Sequence, residues 1–514
     1  MDVAGDVLGK PRLWKIAVKK ENKGCTDGEE EINEFEPVTP AGRVFSQPAL
    51  YCYIITIFKL KTQIDVETIK SGLESSLLKH KRFSSVMEKD KNGKLIWVPA
   101  EVNICDHVLV PCIDPEENES SDFYENYSAR LASAPPLDSS RPQWQFHLLN
   151  VKSQDAASGI VMRVHHSLGD GVSLMSLLLA CTRQHADPNL LPTIPRQTRS
   201  SRIAGAKFRG LPLPLGILLG MLLVVWYTVV DILYFAATII WLKDSLTPIK
   251  GYPGVESGPK KIVHQSISLE DIKLVKDAIK GTVNDVMLGI TSAGITRYLE
   301  RRYKEERSEN ADADTKKKAE QRKKNGESVL PSKLRVRSTI LVNTRPAPGL
   351  HELAEMMESG NKARWGNNLG YVILSLPTEK RKNPLDYAHA AAAIFRRKKL
   401  SLEAPFTYAS GTLLLHLAGV KAATILTYNM IANTTFSFSN MVGPLQEVEF
   451  FGHPIMDIIP TVSGHPHALT MHFQTYMGKV TLVVSAATDV IADPKQLCLD
   501  CIDAFHSMKQ AAAV

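Results

Sequence analysis

GIVMRVHHSLGDG, residues 159–171, is the stretch on which the reading of this 514-residue chain turns. Ile160, Val161, Met162 and Val164 make a run of apolar side chains suited to a buried strand. VSLMSLLLACT, residues 172–182, follows with the composition of a buried helix. Two imidazoles, an aspartate and a glycine fall between them, an unusual way to end a purely structural strand. His166 and Asp170 form an HxxxD pair. Histidine titrates near neutrality, so at the mouth of a cleft it can take a proton from a hydroxyl and return it to a leaving group. Asp170 can orient the strand-to-helix corner, and Gly171 frees the backbone where a Cβ would obstruct the turn or a close-lying substrate. The HxxxD spacing alone is equally compatible with a histidine that is simply hydrogen-bonded at a strand end.

Working outward, Gln143 to Val151 reads as the strand that pairs with 159–166 in a hairpin, and Asp122 to Ser133 reads as a helix. Before them, PVTPAGRVF (37–45) reads as a Pro/Gly loop, and ALYCYIITIFKL (49–60) reads as a strand. A helix over 64–81 carries Val66, Ile69, Leu73 and Leu77 on one face, and short strands follow at 95–99 and 108–112. Mixed strands and helices without repeated βαβ units predict a layered α/β domain with a mixed sheet. Residues 1–36 are polar and rich in Gly and Glu, a flexible lead-in with no apolar core of a secretory signal.

Downstream, 211–243 is apolar throughout except for Asp231 and a few small polar groups, with basic stretches on both sides. As a helix it is long enough to cross a hydrocarbon core of about 30 Å. The alternative is a buried helical hairpin. A single crossing would put the two halves of the chain on opposite sides of a bilayer. An in-plane, hairpin or re-entrant arrangement is therefore expected, with Asp231 near a turn or facing protein. The second half runs from a strand at 262–269 through GTVNDVMLGITSAGITRYLERRYKEER (281–307), a helix with Thr282 as N-cap and Asp285 in its first turn. A charged, nearly apolar-free insertion at about 304–333 is expected to be disordered. Strands at 334–343 and 371–377 come next, then helices at 385–400 and 411–430. Three more strands and a terminal helix at 494–510 close the chain. The element types repeat those of the first half, which predicts two similar domains: 37–205, then a linker at 206–261 that contains the apolar segment, then 262–514.

The bulk numbers agree with this outline. The chain is too long for one ordinary core, its 44% hydrophobic and 22% charged residues are globular, and a net charge of +7 suits an anionic ligand or membrane surface without indicating nucleic acid. Seven cysteines include one CxxC, Cys498 and Cys501, with no second CxxC or nearby His pair to complete a zinc site. Buried thiols in a reducing compartment are expected.

HHSLGDG together with several further blocks resembles the bifunctional wax ester synthase/diacylglycerol acyltransferase family, especially its plant-type members, within the HxxxD acyl-CoA-dependent acyltransferases. PVTPAGRVF, Asn284-Asp285, NTRP (343–346), GNNLGYVILSLP (366–377), SNMVGP (439–444) and YMGKVTLVVSAATDVIADP (476–494) carry the resemblance, which covers nearly the whole chain from Pro37. PPLDSSRPQWQ (135–145) departs from it, with Gln143 where the family's PLW block has Leu. The resemblance implies two chloramphenicol acetyltransferase-like domains, mixed sheets with flanking helices, and an interdomain active-site tunnel. It implies transfer of a long acyl group from acyl-CoA, a co-substrate rather than a cofactor, to a fatty alcohol or diacylglycerol. No metal is implied, and the partners are acyl-CoA, the acceptor lipid and membrane lipid.

In that reading His166 is the general base, while His165, Asp170 and Gly171 hold the motif's shape. The aspartate in related enzymes points away from the imidazole towards an arginine. Asn284, Asp285, Ser439, Asn440 and Gly443 support the site between the domains, with Asn440 or backbone amides of 439–443 as oxyanion donors. Asn284-Asp285 read equally as helix-start residues, and SNMVGP reads equally as a turn. Which Lys or Arg residues hold the CoA phosphates is not legible. Water-insoluble substrates and the missing signal point to the endoplasmic reticulum membrane, with catalytic domains facing the cytosol. Two other functions stay open: an HxxxD acyltransferase of small hydroxylated metabolites, against which stands the missing DFGWG block, and a non-catalytic membrane lipid-binding protein. No GxSxG elbow suggests an acyl-enzyme.

Overall fold

A computed structural model describes residues 35–114, 121–194, 213–309, 329–331, 333–344 and 366–513. The lead-in at 1–34, the basic stretch before the apolar segment, most of the charged insertion and part of NTRP lie outside the described residues. In the first half, α1 (Pro40–Phe45), β1 (Tyr53–Leu60) and α2 (Val66–Ser75) precede the hairpin β2 (Ser85–Lys89) and β3 (Leu95–Pro99). Then come β4 (Val108–Leu109), α3 (Phe123–Ala132), β5 (Trp144–Leu149), β6 (Ser158–His165), α4 (Gly171–Ala180) and β7 (Thr182–Gln184). The remainder begins with α5 (Leu213–Ile240), β8 (Lys260–Ser268), α6 (Leu269–Ala278), α7 (Val283–Glu309), β9 (Arg337–Asn343) and β10 (Leu369–Ser375). It continues with α8 (Leu385–Lys399), α9 (Glu403–Ala432), β11 (Phe436–Val442), β12 (Val448–Phe450), β13 (His453–Ser463), β14 (Leu469–Tyr476), β15 (Lys479–Ala487) and α10 (Pro494–Ala512).

β1 is buried along its whole length, as a strand covered on both faces must be. It is the hub of the first sheet, whose order is β4-β5-β6-β1-β13-β12-β7. β6 and β13 both pair with it antiparallel. The expected 143–166 hairpin is present as β5 and β6. β12 and β13 come from the far half of the chain, so this sheet is assembled from both halves. The second sheet, β10-β9-β11-β14-β15-β8, is mixed: β11 runs parallel to β9 and β14, and the remaining pairs are antiparallel. Its core face carries Phe436, Phe438, Met471 and Phe473 against α7 and α10. Glu125 of α3 ties the sheets together, taking Lys59 of β1 at 3.2 Å and His264 of β8 at 3.0 Å.

Several elements differ from the sequence expectation. PVTPAGRVF contains a helix, not only a loop, because Thr39 caps it and Pro40 sits at its first position. α7 continues to Glu309, into the charged insertion. Cys105 and Cys112 are exposed, whereas Cys52, Cys181, Cys498 and Cys501 are buried thiols. The apolar segment is one unbroken helix, α5, with no hairpin turn inside it. Asp231 faces protein, paired with Arg397 Nη2 at 2.7 Å and Lys398 Nζ at 3.0 Å.

Among the described residues a second helix, α9, is also long and apolar enough to cross a bilayer by length and composition. It starts at Glu403, about two turns before the expected 411, and its helical geometry breaks at Gly419, where φ is 79° and ψ is 173°. Buried Arg337 fastens both helices to the second sheet. Its guanidinium donates to Thr238 Oγ1 and the Leu242 carbonyl of the α5 end, to the Asn433 carbonyl of the α9 end, and to Asp244. A cation placed where helix carbonyls point complements their partial negative charge.

Candidate active site

His165 is the last residue of β6, opposite Tyr53 of β1, and the chain turns immediately after it. The His166 amide still donates to the Cys52 carbonyl at 2.9 Å, which holds the second histidine on the sheet rim. The turn is closed by Leu168 N–H to the His165 carbonyl, and Asp170 Oδ1 then accepts from Ser173 N–H at 2.8 Å as the N-cap of α4. Asp170 therefore stands at the strand-to-helix corner as the cap of α4. Gly171 has no left-handed backbone. Its lack of a side chain instead makes room for Met441 of β11, whose sulfur would lie 3.3 Å from an added Cβ.

The two imidazoles differ in their surroundings. Both nitrogens of His165 are engaged, Nδ1 with Ser167 Oγ at 2.7 Å and Nε2 with the Phe45 carbonyl at 3.1 Å, and its ring lies against Tyr51 and Tyr53. Burial pushes its pKa down to about 3. Such a ring is a fixed strut. His166 is 4% exposed, packs on the Phe45 ring at a centroid distance of 4.5 Å, and has a buried Nδ1 with no hydrogen-bond partner among the described residues. Burial lowers its pKa below 6.5, against the opposing pull of its own carbonyl, the Asp170 carboxylate and the Asn367 amide. The ring is therefore neutral at neutral pH and able to accept a proton.

The far half of the chain completes the site. Asn367, fully buried just before β10, donates from Nδ2 to the His166 carbonyl at 2.7 Å and reaches the Ser167 carbonyl at 3.4 Å. Sequence reasoning missed this residue. Its only signal was the Asn-Asn pair inside GNNLGYVILSLP, and nothing local says which amide is used. His465 was also missed: it follows β13, where Gly464 (φ 87°) presses against the Tyr51 carbonyl and the start of β1. Burial lowers the His465 pKa to about 3, and Lys260, His472 and His166 act in the same direction.

The remaining expected residues form a second group. Asn440 Nδ2 donates to Asn284 Oδ1, so the SNMVGP and ND blocks meet at the start of α7. Asp285 Oδ2 accepts from Thr282 N–H at 2.7 Å, a reciprocal cap of α7. Strand alternation puts Asn440 on the side of Phe436 and Phe438, whereas Ser439 and Met441 share the opposite side with His472 and Gln474, their register partners on β14. Gly443 is packed so closely that an added Cβ would lie 2.5 Å from the Thr475 carbonyl. Gln143 and Trp144, in the PLW-like block, bond backbone carbonyls at Asp138 and Phe83 and serve packing.

Chemically, this is a neutral imidazole packed on Phe45 and held through its own carbonyl by Asn367 from the far half of the chain. Comparison with known proteins gives such a site a family context. Residues 59–287 match the family model of the wax ester synthase/diacylglycerol acyltransferase catalytic domain, and residues 365–509 match that of the WS/DGAT C-terminal domain. Wax ester synthase/diacylglycerol acyltransferase 6 of Arabidopsis thaliana is 43% identical over 94% of this chain and 95% of its own length. Number 11 of the same set is 43% identical over 94% and 96%. Among solved structures, the wax ester synthase/diacylglycerol acyltransferase from Marinobacter aquaeolei VT8 superposes with a TM-score of 0.57 at 15% identity, covering 93% of this chain and all of that one. The trichothecene 15-O-acetyltransferase TRI3 from Fusarium sporotrichioides gives 0.55 at 13% identity over 92% and 95%. At those identities the structures establish the shared fold.

Proposed function

The chain belongs to the wax ester synthase/diacylglycerol acyltransferase family, and from that premise we propose that it transfers a long-chain acyl group from acyl-CoA to a fatty alcohol, to diacylglycerol, or to both, with His166 as general base. The observation that carries the assignment is the contrast between the adjacent imidazoles. His165 has both nitrogens committed, whereas His166 is neutral with an uncommitted nitrogen. His166 takes the acceptor's hydroxyl proton as the oxygen attacks the thioester carbonyl. The tetrahedral oxyanion then collapses, the C–S bond breaks, and the CoA thiolate leaves with the proton that His166 returns. The ester forms in one transfer, without an acyl-enzyme.

Asp170 and Gly171 act by shaping the corner, and Asn367 acts as a positioning residue through the His166 carbonyl. Asn284, Asp285, Ser439, Asn440 and Gly443 support the far wall. With the Asn440 side chain bonded to Asn284 and the Gly443 amide bonded to the Thr475 carbonyl, the oxyanion donors come from the backbone amides of 439–442. The exposed apolar side chains of α5 favour work at a membrane, and the cytosolic face of the endoplasmic reticulum suits an acyl-CoA enzyme with lipid substrates.

The test is product formation from labelled palmitoyl-CoA offered hexadecanol and diacylglycerol in parallel, by the wild type and His166→Ala. Ester made by the wild type should fall about 10²- to 10⁴-fold in a folded mutant, and the ratio of the two esters identifies the acceptor. Equal activity in both proteins refutes the base assignment. No product with either lipid acceptor refutes the substrate class.

A further inference from the structure

Most of the large exposed apolar side chains lie on two neighbouring helices. On α5 they include Leu218, Val225, Trp226 and Leu233, with Trp241 just beyond its end; on α9 they include Leu413, Leu417 and Ile425. Leu417 is 78% exposed, and Trp226 and Trp241 are 62% and 65% exposed. Exposed apolar side chains in this number on adjacent helices mark an interaction surface rather than ordinary scatter. Lys421 of α9, Arg396 and Lys399 of α8, the helix before α9, and Lys243 just after α5 are exposed, and tryptophans favour the headgroup level. An apolar face with a cationic edge is complementary to an anionic bilayer.

The path of α9 limits how it can meet that bilayer. Near its start, the Leu402 amide donates to Thr228 Oγ1 at 3.0 Å; at its end, Asn433 Nδ2 donates to the Thr238 carbonyl at 2.7 Å. Those anchors are about 15 Å apart along α5, whereas a straight helix of 30 residues would extend about 45 Å. The chain therefore doubles back at Gly419, whose left-handed φ makes the reversal, into limbs of about 24 and about 20 Å. Neither limb can cross a hydrocarbon core of about 30 Å.

The inner side of the same hairpin leads to the site. Leu415, Ala423, Met430 and Ile431 form one apolar cluster with Val44 of α1 and with Leu50 and Ile373. The next residue of α1 is Phe45, whose ring packs tilted against that of His166.

We propose that α9 is a second membrane element, a re-entrant helical hairpin that dips into one leaflet beside α5 and passes the bilayer-dissolved acceptor along α1 to His166. This rests on the reading above that the acceptor is a lipid and that α5 meets a membrane. The test uses the full-length protein with phosphatidylcholine/phosphatidylserine vesicles whose acyl chains are brominated. Native Trp226 and Trp241, read as the difference from a Trp226→Phe, Trp241→Phe variant, report on α5. Leu417→Trp, with Ile425→Trp as a second variant, reports on the hairpin. The expected result is bromine quenching of the wild-type emission and of the extra emission in both variants. Quenching of the native tryptophans without quenching of the introduced indoles overturns the hairpin and leaves α5 as a lone anchor. Absence of quenching throughout overturns the hairpin and the membrane reading together, and vesicle-independent dimerisation would then assign the face to self-association.

Discussion

Asn367→Ala should lower kcat about 10- to 100-fold with little change in KM for palmitoyl-CoA. Asn367 is fully buried, and its Nδ2 is 2.7 Å from the His166 carbonyl. Truncation leaves that carbonyl buried without its donor, at a cost of about 1–3 kcal/mol. The chain can bear this as lost stability, or it can rotate the peptide after His166 towards water. Rotation carries the imidazole with it, and a displacement near 1 Å costs about 100-fold in rate. If the full penalty appears in the transition state, 1–3 kcal/mol corresponds to about 5- to 150-fold. The assay is steady-state esterification of hexadecanol, run as a pH–rate profile beside a thermal melt. Because Asn367 also favours the protonated ring, its loss should move the acid limb to lower pH, which a purely structural defect would not do. A folded variant with kcat within twofold of wild type and an unmoved acid limb would refute the positioning argument.

Three further outcomes follow from the same geometry. In the wild type, kcat/KM should fall on acidification with an inflection below 6.5, since burial lowers the His166 pKa and only the neutral ring is active; Asp170→Asn, which removes a carboxylate favouring protonation, should move that inflection lower still. Stability should also fall on acidification: His80, His165 and His465 are held neutral with pKa values pushed to about 3, so below 6.5 the unfolded chain binds protons that the fold refuses. Each such histidine costs up to about 1.4 kcal/mol per pH unit between 6.5 and 3, read as a declining Tm. Arg337→Met should destabilise by about 3–5 kcal/mol in urea titration, because the Asp244 carboxylate would be left buried without its cation; a change under 1 kcal/mol would show that the hub is dispensable.

The legible parts of the fold were those written in local periodicity. The β5–β6 hairpin, the helix after Gly171, the reciprocal cap at Thr282 and Asp285, and the apolar run of α5 each follow from neighbours a few residues apart. Even there local rules had limits. Thr39-Pro40 is a helix start embedded in a Pro/Gly stretch, and the break at Gly419 looks like an ordinary small residue in an apolar helix.

The sequence by itself determined the chemistry-bearing corner, His165 to Gly171, because a strand of apolar side chains must end where the imidazoles and the aspartate begin. Only the tertiary structure decided which partners surround it. Asn367 lies 201 positions from His166, and β13 leaves its own half of the chain to pair with β1. Likewise, the folding-back of α9 on α5 is fixed by Arg337, Thr228 and Thr238 rather than by any pattern within the helix. Periodicity records which face of an element is buried. It carries no record of what that face is buried against, because that is chosen by contacts between residues hundreds of positions apart.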